Sequence, residues 1–257
     1  MGQHFLGDAG WRRRILKGLA PGASETWVEI GAGHGEMTQM LAADGRRVLA
    51  IEADWRLAED LQEKVSSHPL DWPNVEIVSR DVLTVDLREL VNGTFRVYGN
   101  LPYYITSPIL HHLFECAGPI RSIHIVIQLE VAERIAAKPG RREYGYLSAL
   151  CQFYANPGIV LRIPPGAFRP PPRVQSALVG MTLPGERAQL NVSNEKGFLE
   201  FIQRCFGQKR KTLRNNLRQL ASDRKIHQAL EDCGLRPDSR AEQLTLPQFG
   251  DLFASLS

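Results

Sequence analysis

The first two thirds of the chain alternate short apolar runs with amphipathic ones, and this pattern constrains the fold more than any other feature. The strand-like runs are residues 26–30, 47–52, 75–79, 95–100 and 120–129. Helix-like runs at 35–43 and 55–65 separate the first three of them. Strands that alternate with helices are typical of a mostly parallel sheet covered by helices. The sequence therefore predicts an α/β fold.

The last third differs in composition. Two further extended segments, 158–163 and 176–183, flank a proline-rich loop and are predicted to pair antiparallel at the sheet edge. A linker-like stretch around 183–194 follows, rich in Pro, Gly and Asn. Beyond it the pattern is helical. We expect a first domain over residues 1–185 and a small all-helical domain over 191–257.

Positive charge is concentrated in one segment of the helical domain. The chain has 257 residues and a net charge of +3, yet residues 193–225 contain nine Lys or Arg against three acids. Leu213, Leu217 and Leu220 recur at helical spacing, which predicts one helix that packs through its leucines and meets phosphate through a separate basic stripe. The proposed RNA contacts are Lys209, Arg210, Lys211, Arg214 and Arg218. A solvated basic helix is the alternative for each of them.

The remaining composition is that of a cytoplasmic protein. No apolar run approaches the roughly 20 residues that span a bilayer, and the N-terminus lacks the apolar stretch of a signal peptide. The chain's four Cys are widely scattered, with no Cys-x-x-Cys pair and no clustered His. The sequence therefore indicates neither a disulfide framework nor a metal site.

A glycine loop joins the first strand to its helix, in the run Gly31-Ala32-Gly33-His34-Gly35-Glu36. Its spacing departs from the Gly-x-Gly-x-x-Gly of dinucleotide-binding proteins. A carboxylate at Glu36, at the start of the helix, would repel a pyrophosphate, whereas a cofactor without phosphate has no such conflict. S-adenosylmethionine is such a cofactor.

Three more strand ends carry polar side chains. Glu52 ends the second strand, where a carboxylate can accept hydrogen bonds from ribose hydroxyls, a position that dehydrogenases share. Asp81 follows the third strand and either accepts from a cofactor adenine or caps a turn. Because ligands of open α/β sheets bind outside the carboxyl ends of the strands, Gly31, Glu52, Asp81 and Asn100 are expected to surround one ligand.

The fourth strand ends in Asn100-Leu101-Pro102-Tyr103. The Asn side-chain oxygen can accept from an amino group, Pro102 fixes a turn, and Tyr103 offers a flat face to a base. The motif also occurs as an ordinary turn, so its meaning depends on the residues that accompany it.

Together these residues resemble the ribosomal RNA adenine N6-dimethyltransferases, and most closely the bacterial small-subunit (16S) branch. The motifs that carry the resemblance run nearly from end to end of the chain. They are residues 2–6 (Gly-Gln-His-Phe-Leu), 29–35, 100–103, 164–174 (Pro-Pro-Gly-Ala-Phe-Arg-Pro-Pro-Pro-Arg-Val) and 206–214 (Phe-Gly-Gln-Lys-Arg-Lys-Thr-Leu-Arg). Two positions depart from the family pattern: His4 stands where Asn is commoner, and Gln175 where Asp is commoner.

The resemblance implies a fold, a reaction and a site. The fold is a Rossmann-like class I methyltransferase sheet with a helical C-terminal domain that binds rRNA. The reaction transfers methyl groups from S-adenosylmethionine, without a metal, to N6 of two adjacent adenosines in a 16S rRNA hairpin near the 3′ end. The implied cofactor contacts are Gln3, His4, Leu6, Gly31, Gly33, Glu52, Asp81 and Asn100. The implied catalytic, target-base residues are Asn100, Leu101, Tyr103 and Phe168.

The proline-rich loop around Phe168 favours presentation of its ring at the surface, where with Tyr103 it would sandwich a base that has left its stack. The expected partner is small-subunit rRNA within a pre-30S particle. We expect the protein to act as a monomer and not to bind a membrane. Three alternatives stay open. They are a nicotinamide-dependent oxidoreductase, a non-catalytic RNA-binding assembly factor, and a methylase of large-subunit RNA.

Overall fold

Seven strands form one sheet in the computed structural model, which describes residues 4–190 and 192–256, with only the backbone of Tyr103. The strands are β1 (Thr26–Ile30), β2 (Arg47–Glu52), β3 (Val75–Ser79), β4 (Phe95–Asn100), β5 (Ile120–Gln128), β6 (Asn156–Ile163) and β7 (Ser176–Thr182). Their order across the sheet is β3-β2-β1-β4-β5-β7-β6. The first five strands pair in parallel, and β7 runs antiparallel to β5. The predicted α/β sheet is confirmed.

Helices connect and follow the strands. They are α1 (Ala9–Leu19), α2 (Glu36–Ala42), α3 (Trp55–Ser67), α4 (Leu87–Leu90), α5 (Thr106–Glu115), α6 (Leu129–Ala136), α7 (Tyr146–Tyr154), α8 (Glu195–Cys205), α9 (Leu213–Leu217), α10 (Asp223–Asp232) and α11 (Leu246–Leu256). Short acidic side chains begin several of them. The Asp8 carboxylate accepts a hydrogen bond from the Trp11 N–H at 2.8 Å, and Asp54 accepts from Arg56 N–H at 3.0 Å. Such caps satisfy backbone donors that the first turn of a helix leaves free.

The central strands are covered on both faces. Residues 27–30 of β1 and 48–52 of β2 are all buried, as expected for parallel strands between two helical layers. The chain leaves β1 toward β2 on one side, and β4 pairs with β1 on the other. This reversal of strand order opens a crevice at the carboxyl ends of β1 and β4, which is where open α/β sheets bind ligands.

The chain divides into two compact units, which we describe separately. The first unit comprises residues 1–132 and 158–183, and the second comprises 133–157 and 184–257. The division differs from the expected boundary at 185–191, because residues 133–157 group with the C-terminal helices. The reason is packing: Phe153 of α7 lies in the same buried cluster as Phe198 of α8, with ring centroids 5.5 Å apart.

The edge of the sheet and the basic helix differ in detail from what the sequence predicts. The strands β6 and β7 are neighbours at the sheet edge, as expected, but β7 also joins the sheet through antiparallel pairing with β5. The expectation of one helix carrying Leu213, Leu217, Leu220 and the basic stripe is wrong. Helix α9 is only five residues long, begins after the cap Thr212, and leaves Leu220 43% exposed.

Candidate active site

The glycine loop after β1 is a tight turn that only glycine accommodates easily. Gly31, Gly33 and Gly35 have φ of 74°, 56° and 85°, in the left-handed region that other residues rarely adopt. At Gly35 a Cβ would also clash with the Leu61 side chain. Helix α2 then begins at Glu36, which places a carboxylate in its first turn. The N-terminus of this helix is therefore unsuited to a pyrophosphate.

Hydrogen bonds fix the Glu52 side chain beside the glycine loop. Its side chain is buried, and its two oxygens accept hydrogen bonds from the Gly33 N–H at 2.8 Å and the Asp54 N–H at 3.0 Å. Each carboxylate oxygen has a second lone pair, so both can accept a further hydrogen bond. The carboxylate is thus fixed in position with capacity left for a hydroxyl pair.

Asp81 caps a turn, which is one of the two roles that the sequence left open. Its Oδ1 accepts from the Leu83 N–H at 3.0 Å and caps the 3-10 turn Val82–Thr84. The same residue lines the cleft described below. Within the described residues its Oδ2 accepts no hydrogen bond. The turn therefore orients the carboxylate and leaves one oxygen for a ligand.

The Asn100 side chain is oriented by the N-terminal segment. Its Nδ2 donates to the His4 carbonyl oxygen at 2.9 Å. Because a carbonyl can only accept, the amide must present nitrogen to His4 and turn Oδ1 the other way. Within the described part of the chain this Oδ1 has no donor of its own. Asn100 therefore offers a hydrogen-bond acceptor to whatever occupies the site.

These strand ends surround one open cleft in the first unit, with about 900 Å³ of space that includes open solvent at its mouth. The predicted site residues that line it are His4, Gly31, Gly33, Glu52, Asp81, Asn100 and Leu101. Leu6 is buried in the core instead, and its carbonyl accepts from Arg12 at 2.7 Å. Gln3 and the Tyr103 side chain lie outside the described residues.

The expectation that the Phe168 ring is presented at the surface is wrong. Its ring is 1% exposed and packs in the hydrophobic core with Leu6 and Tyr98. The loop is covered because Phe5 pairs with Arg169, with backbone hydrogen bonds of 3.0 and 2.8 Å in the two directions. A proline-rich loop suggests exposure locally, but the distant N-terminal segment turns this ring inward.

The cleft also contains residues that the sequence reasoning missed. They are Phe5, Ile30, Ile51, Ala53, Arg80, Val82, Pro102, Tyr104, Ile105 and Ile109. Most directly precede or follow a predicted residue, so a wider window around each strand end would have found them. Tyr104 stands out because it is an aromatic side chain that is 76% exposed at the cleft.

The electrostatics of the first unit favour a cationic ligand. Glu52 and Asp81 face the cleft, with Arg80 as a cation among its lining residues. Beside them on β1, burial raises the pKa of Glu29 to about 8, and the charges of Glu52 and Glu36 act in the same direction. Within the described residues no group of three His, Cys, Asp or Glu could hold a metal ion.

The predicted RNA contacts lie in the second unit and fall into two groups. Lys209, Arg210 and Lys211 are exposed in the loop before α9. Arg214 and Arg218 instead share one carboxylate, with contacts of 3.1 and 3.4 Å to Asp223. The charge of this second pair is therefore partly neutralised within the protein.

The fold and cleft define the class of the protein. Five parallel strands with an antiparallel β7 beside them, a glycine loop after β1 and acids at or just after the ends of β2 and β3 are the arrangement of the class I S-adenosylmethionine-dependent methyltransferases. The cleft fits this cofactor: Glu52 suits the ribose diol, Asp81 an adenine amino group, and the acids a positively charged sulfonium. The chain belongs to the ribosomal RNA adenine dimethylase family, whose pattern it matches over residues 1–257.

Curated relatives agree with this assignment. The chain is 40% identical over 270 residues to Ribosomal RNA small subunit methyltransferase A of Koribacter versatilis, covering 100% of this chain and 93% of that protein. It is 36% identical over 261 residues to the protein of the same name from Caldanaerobacter subterraneus, covering 99% and 95%. The relative from Xanthomonas campestris is 40% identical over 250 residues, covering 97% and 92%.

Solved structures share the fold. A dimethyladenosine transferase from Plasmodium falciparum superposes with a TM-score of 0.82 at 23% identity, covering 97% of this chain and 96% of that one. The 23S rRNA methyltransferase ErmE superposes with a TM-score of 0.73 at 27% identity, covering 98% and 99%. None of the helices in residues 4–190 and 192–256 is long and apolar enough to cross a membrane.

Proposed function

We propose that this protein methylates N6 of two adjacent adenosines in a 16S rRNA hairpin near the 3′ end, giving N6,N6-dimethyladenosine during small-subunit biogenesis. The observation that carries the proposal is the Asn100 side chain, whose Nδ2 is held by the His4 carbonyl so that Oδ1 is left as an acceptor. The names of the curated relatives at 36–40% identity support the small subunit as the target.

The cleft residues hold the cofactor in this proposal. Glu52 accepts from the ribose hydroxyls, Asp81 from the adenine amino group, and the Gly31–Gly33 backbone allows close approach of the ligand. His4 and Asn100 border the same cleft from the N-terminal segment and β4. When bound, S-adenosylmethionine supplies an electrophilic methyl on a sulfonium.

Asn100 and Leu101 orient the target nitrogen in this proposal. The lone pair of adenine N6 is delocalised into the ring, so the nitrogen is a poor nucleophile. Hydrogen bonds from its N–H groups to the Asn100 Oδ1 and the Leu101 carbonyl favour a pyramidal nitrogen whose lone pair is available for the methyl. The nitrogen becomes acidic once alkylated, and its proton leaves to water. No strong general base is needed.

The target adenine needs an aromatic side chain to stack on after it leaves the RNA stack. Tyr103 is the proposed platform, and the side chain of Tyr104 on the same 3-10 turn is 76% exposed. Stacking on an aromatic ring contributes roughly 1–3 kcal/mol per base. Phe168 is not part of this platform, because its ring lies in the core.

The proposed partner is small-subunit rRNA in a pre-30S particle in the cytoplasm, bound by the protein as a monomer. The helical C-terminal domain supplies phosphate contacts from Lys209, Arg210 and Lys211, with Arg214 and Arg218 beside them.

The test is methyl transfer by wild-type protein and by Asn100→Ala, with Asn92→Ala, an exposed Asn away from the cleft, as control. Each protein is incubated with labelled S-adenosylmethionine and, separately, with unmethylated small subunits and large-subunit RNA. We expect N6,N6-dimethyladenosine in small-subunit RNA only. Loss of one positioning acceptor should lower kcat by at least ~100-fold in Asn100→Ala while cofactor binding remains measurable.

Two results would reject the proposal. Methylation of large-subunit RNA alone would move the target to that of ErmE, to which the chain is also similar. Retention of most of the rate by Asn100→Ala would remove the assigned role of the amide.

A further inference from the structure

A second basic loop lies beside the predicted RNA-binding segment. Residues 138–143 connect α6 to α7 and contain Lys138, Arg141 and Arg142, all exposed, with Glu143 as the only acid. This loop is about 70 positions away from Lys209 in sequence, outside the charged segment at 193–225. The sequence pattern therefore gave no reason to join the two.

Direct contacts join the two loops within the second unit. The Lys209 ammonium donates to the Arg142 carbonyl oxygen. Just beyond each loop, the buried Tyr144 ring packs edge-on against Phe206, with centroids 5.9 Å apart. Because an aromatic pair and a hydrogen bond hold the same two segments, their basic side chains share one surface.

Both loops are also internally fixed. In the first, the Gly140 N–H donates to the Glu242 carbonyl at 2.7 Å, with Gly140 at a φ of 83°, and the Tyr144 N–H donates to the Arg141 carbonyl at 3.1 Å. In the second, the Lys211 N–H donates to the Gln208 carbonyl at 2.9 Å. The cations are thus presented by ordered backbone, so less entropy is lost when they bind a partner.

The charges on this surface are available to a partner. Within the described residues, no carboxylate lies within 4 Å of the charged groups of Arg141, Arg142, Lys209, Arg210 and Lys211. This distinguishes them from Arg214 and Arg218, which contact Asp223. These five cations on two adjoining loops suit a run of phosphates, whereas Lys138 interacts electrostatically with Glu186.

We propose that Arg141 and Arg142 form, with Lys209, Arg210 and Lys211, one continuous binding surface for the phosphate backbone of RNA. The proposal rests on the proposed function and adds to it, because it assigns phosphate contacts to the α6–α7 loop. The partner is the sugar-phosphate backbone rather than particular bases, since Arg and Lys contacts of this kind fix register and carry no sequence information.

The experiment compares Arg141→Gln/Arg142→Gln with Arg47→Gln/Arg121→Gln in the full-length protein. The control pair removes the same charge from exposed arginines at the N-terminal ends of β2 and β5, opposite the cleft end of the strands. The probe is an unmethylated RNA hairpin of small-subunit sequence, and its association constant is measured over a series of salt concentrations. Thermal unfolding of each variant shows that it is folded.

We expect the Arg141/Arg142 variant to lower the slope of log K against log salt by about 1–2, because each lost phosphate contact reduces it by roughly 0.7–0.9. Affinity at low salt should fall by about tenfold or more, and the control should match wild type. Adding Lys209→Gln, Arg210→Gln and Lys211→Gln should lower the slope further. A slope equal to that of wild type overturns the proposal.

A second outcome would also overturn it. If the variant loses binding to poly-L-glutamate while its RNA binding is unchanged, the surface recognises an acidic protein. Failure of the proposed function is separately visible, because methyl transfer is assayed on the same wild-type protein. Absence of transfer by the wild-type protein, together with the expected lower slope in the Arg141/Arg142 variant, would reject the proposed function and leave the RNA surface standing.

Discussion

At the scale of single residues, variants of Phe168 test whether its ring stabilises the fold or contacts the target base. Its side chain is 1% exposed in the core of the first unit. We expect Phe168→Ala to lower the free energy of unfolding by about 3–5 kcal/mol and Phe168→Leu to lower it by less, about 1–2 kcal/mol. The folded Leu variant should keep kcat/KM within a few-fold of wild type. Denaturant unfolding and methyl-transfer kinetics measure the two quantities.

The control for this prediction is Phe198→Leu, a fully buried ring in the core of the second unit. Both Leu variants should behave alike, with a stability loss and little kinetic change. If Phe168→Leu remained folded and stable while its kcat/KM collapsed, the ring would contact the target base during the reaction.

Phe168 also shows what could not be predicted from the sequence. The positions of Asn100, Glu52 and Asp81 at the cleft were predictable because each ends a strand or follows one within two residues. The carboxyl ends of neighbouring parallel strands lie at the same edge of a sheet. The burial of Phe168 depends on Phe5 pairing with Arg169, a contact between segments more than 160 residues apart. Composition of the proline-rich loop contains no information about that partner.

At the scale of elements, α9 and α10 are coupled by one carboxylate. Asp223 in the first turn of α10 contacts both Arg214 of α9 and Arg218 just after it, and the hydrogen bonds from Arg214 help to hold the pKa of Asp223 below its usual value. We expect Asp223→Asn to free both arginines. RNA affinity at low salt should rise several-fold, and the salt slope should steepen by up to about 2.

The matched control is Asp238→Asn, which removes an exposed carboxylate paired with Arg236 at 3.3 Å in the same unit. It should leave the salt slope unchanged. A steeper slope in both variants would show a general effect of net charge, and no change in Asp223→Asn would show that Arg214 and Arg218 do not reach phosphate.

The short α9 also explains why the element was misjudged from sequence. Leucines at helical spacing predicted a helix through Leu220, and Leu213 and Leu217 are indeed fully buried. Yet the chain turns after Leu217, and Ser222 starts a new helix by accepting from the Lys225 N–H at 3.3 Å. Ser-Asp is a capping signal, and in a short segment it outweighs an apolar repeat.

At the scale of the whole molecule, two buried groups give stability an opposing dependence on pH. Burial lowers the pKa of His124 to about 4 from its usual 6.5, with Arg96 acting in the same direction. As pH falls from 6.5 to 4, the unfolded chain gains a proton that the folded chain does not, so the free energy of unfolding falls. Burial raises the pKa of Glu29 to about 8 from 4.5. As pH rises from 4.5 to 8, the unfolded chain loses a proton that the folded chain keeps, so the free energy of unfolding falls again.

Between pH 4.5 and 6.5 these two effects cancel, and between 6.5 and 8 only that of Glu29 remains, at about 1.4 kcal/mol per pH unit. We therefore expect Glu29→Gln to gain stability relative to wild type as pH rises through this range, by about 2 kcal/mol from 6.5 to 8. Urea unfolding at half-unit pH steps measures the difference, with Glu76→Gln on the exposed edge of the sheet as control. A difference curve that is flat from pH 4.5 to 8 would show that Glu29 is already ionised in the folded protein.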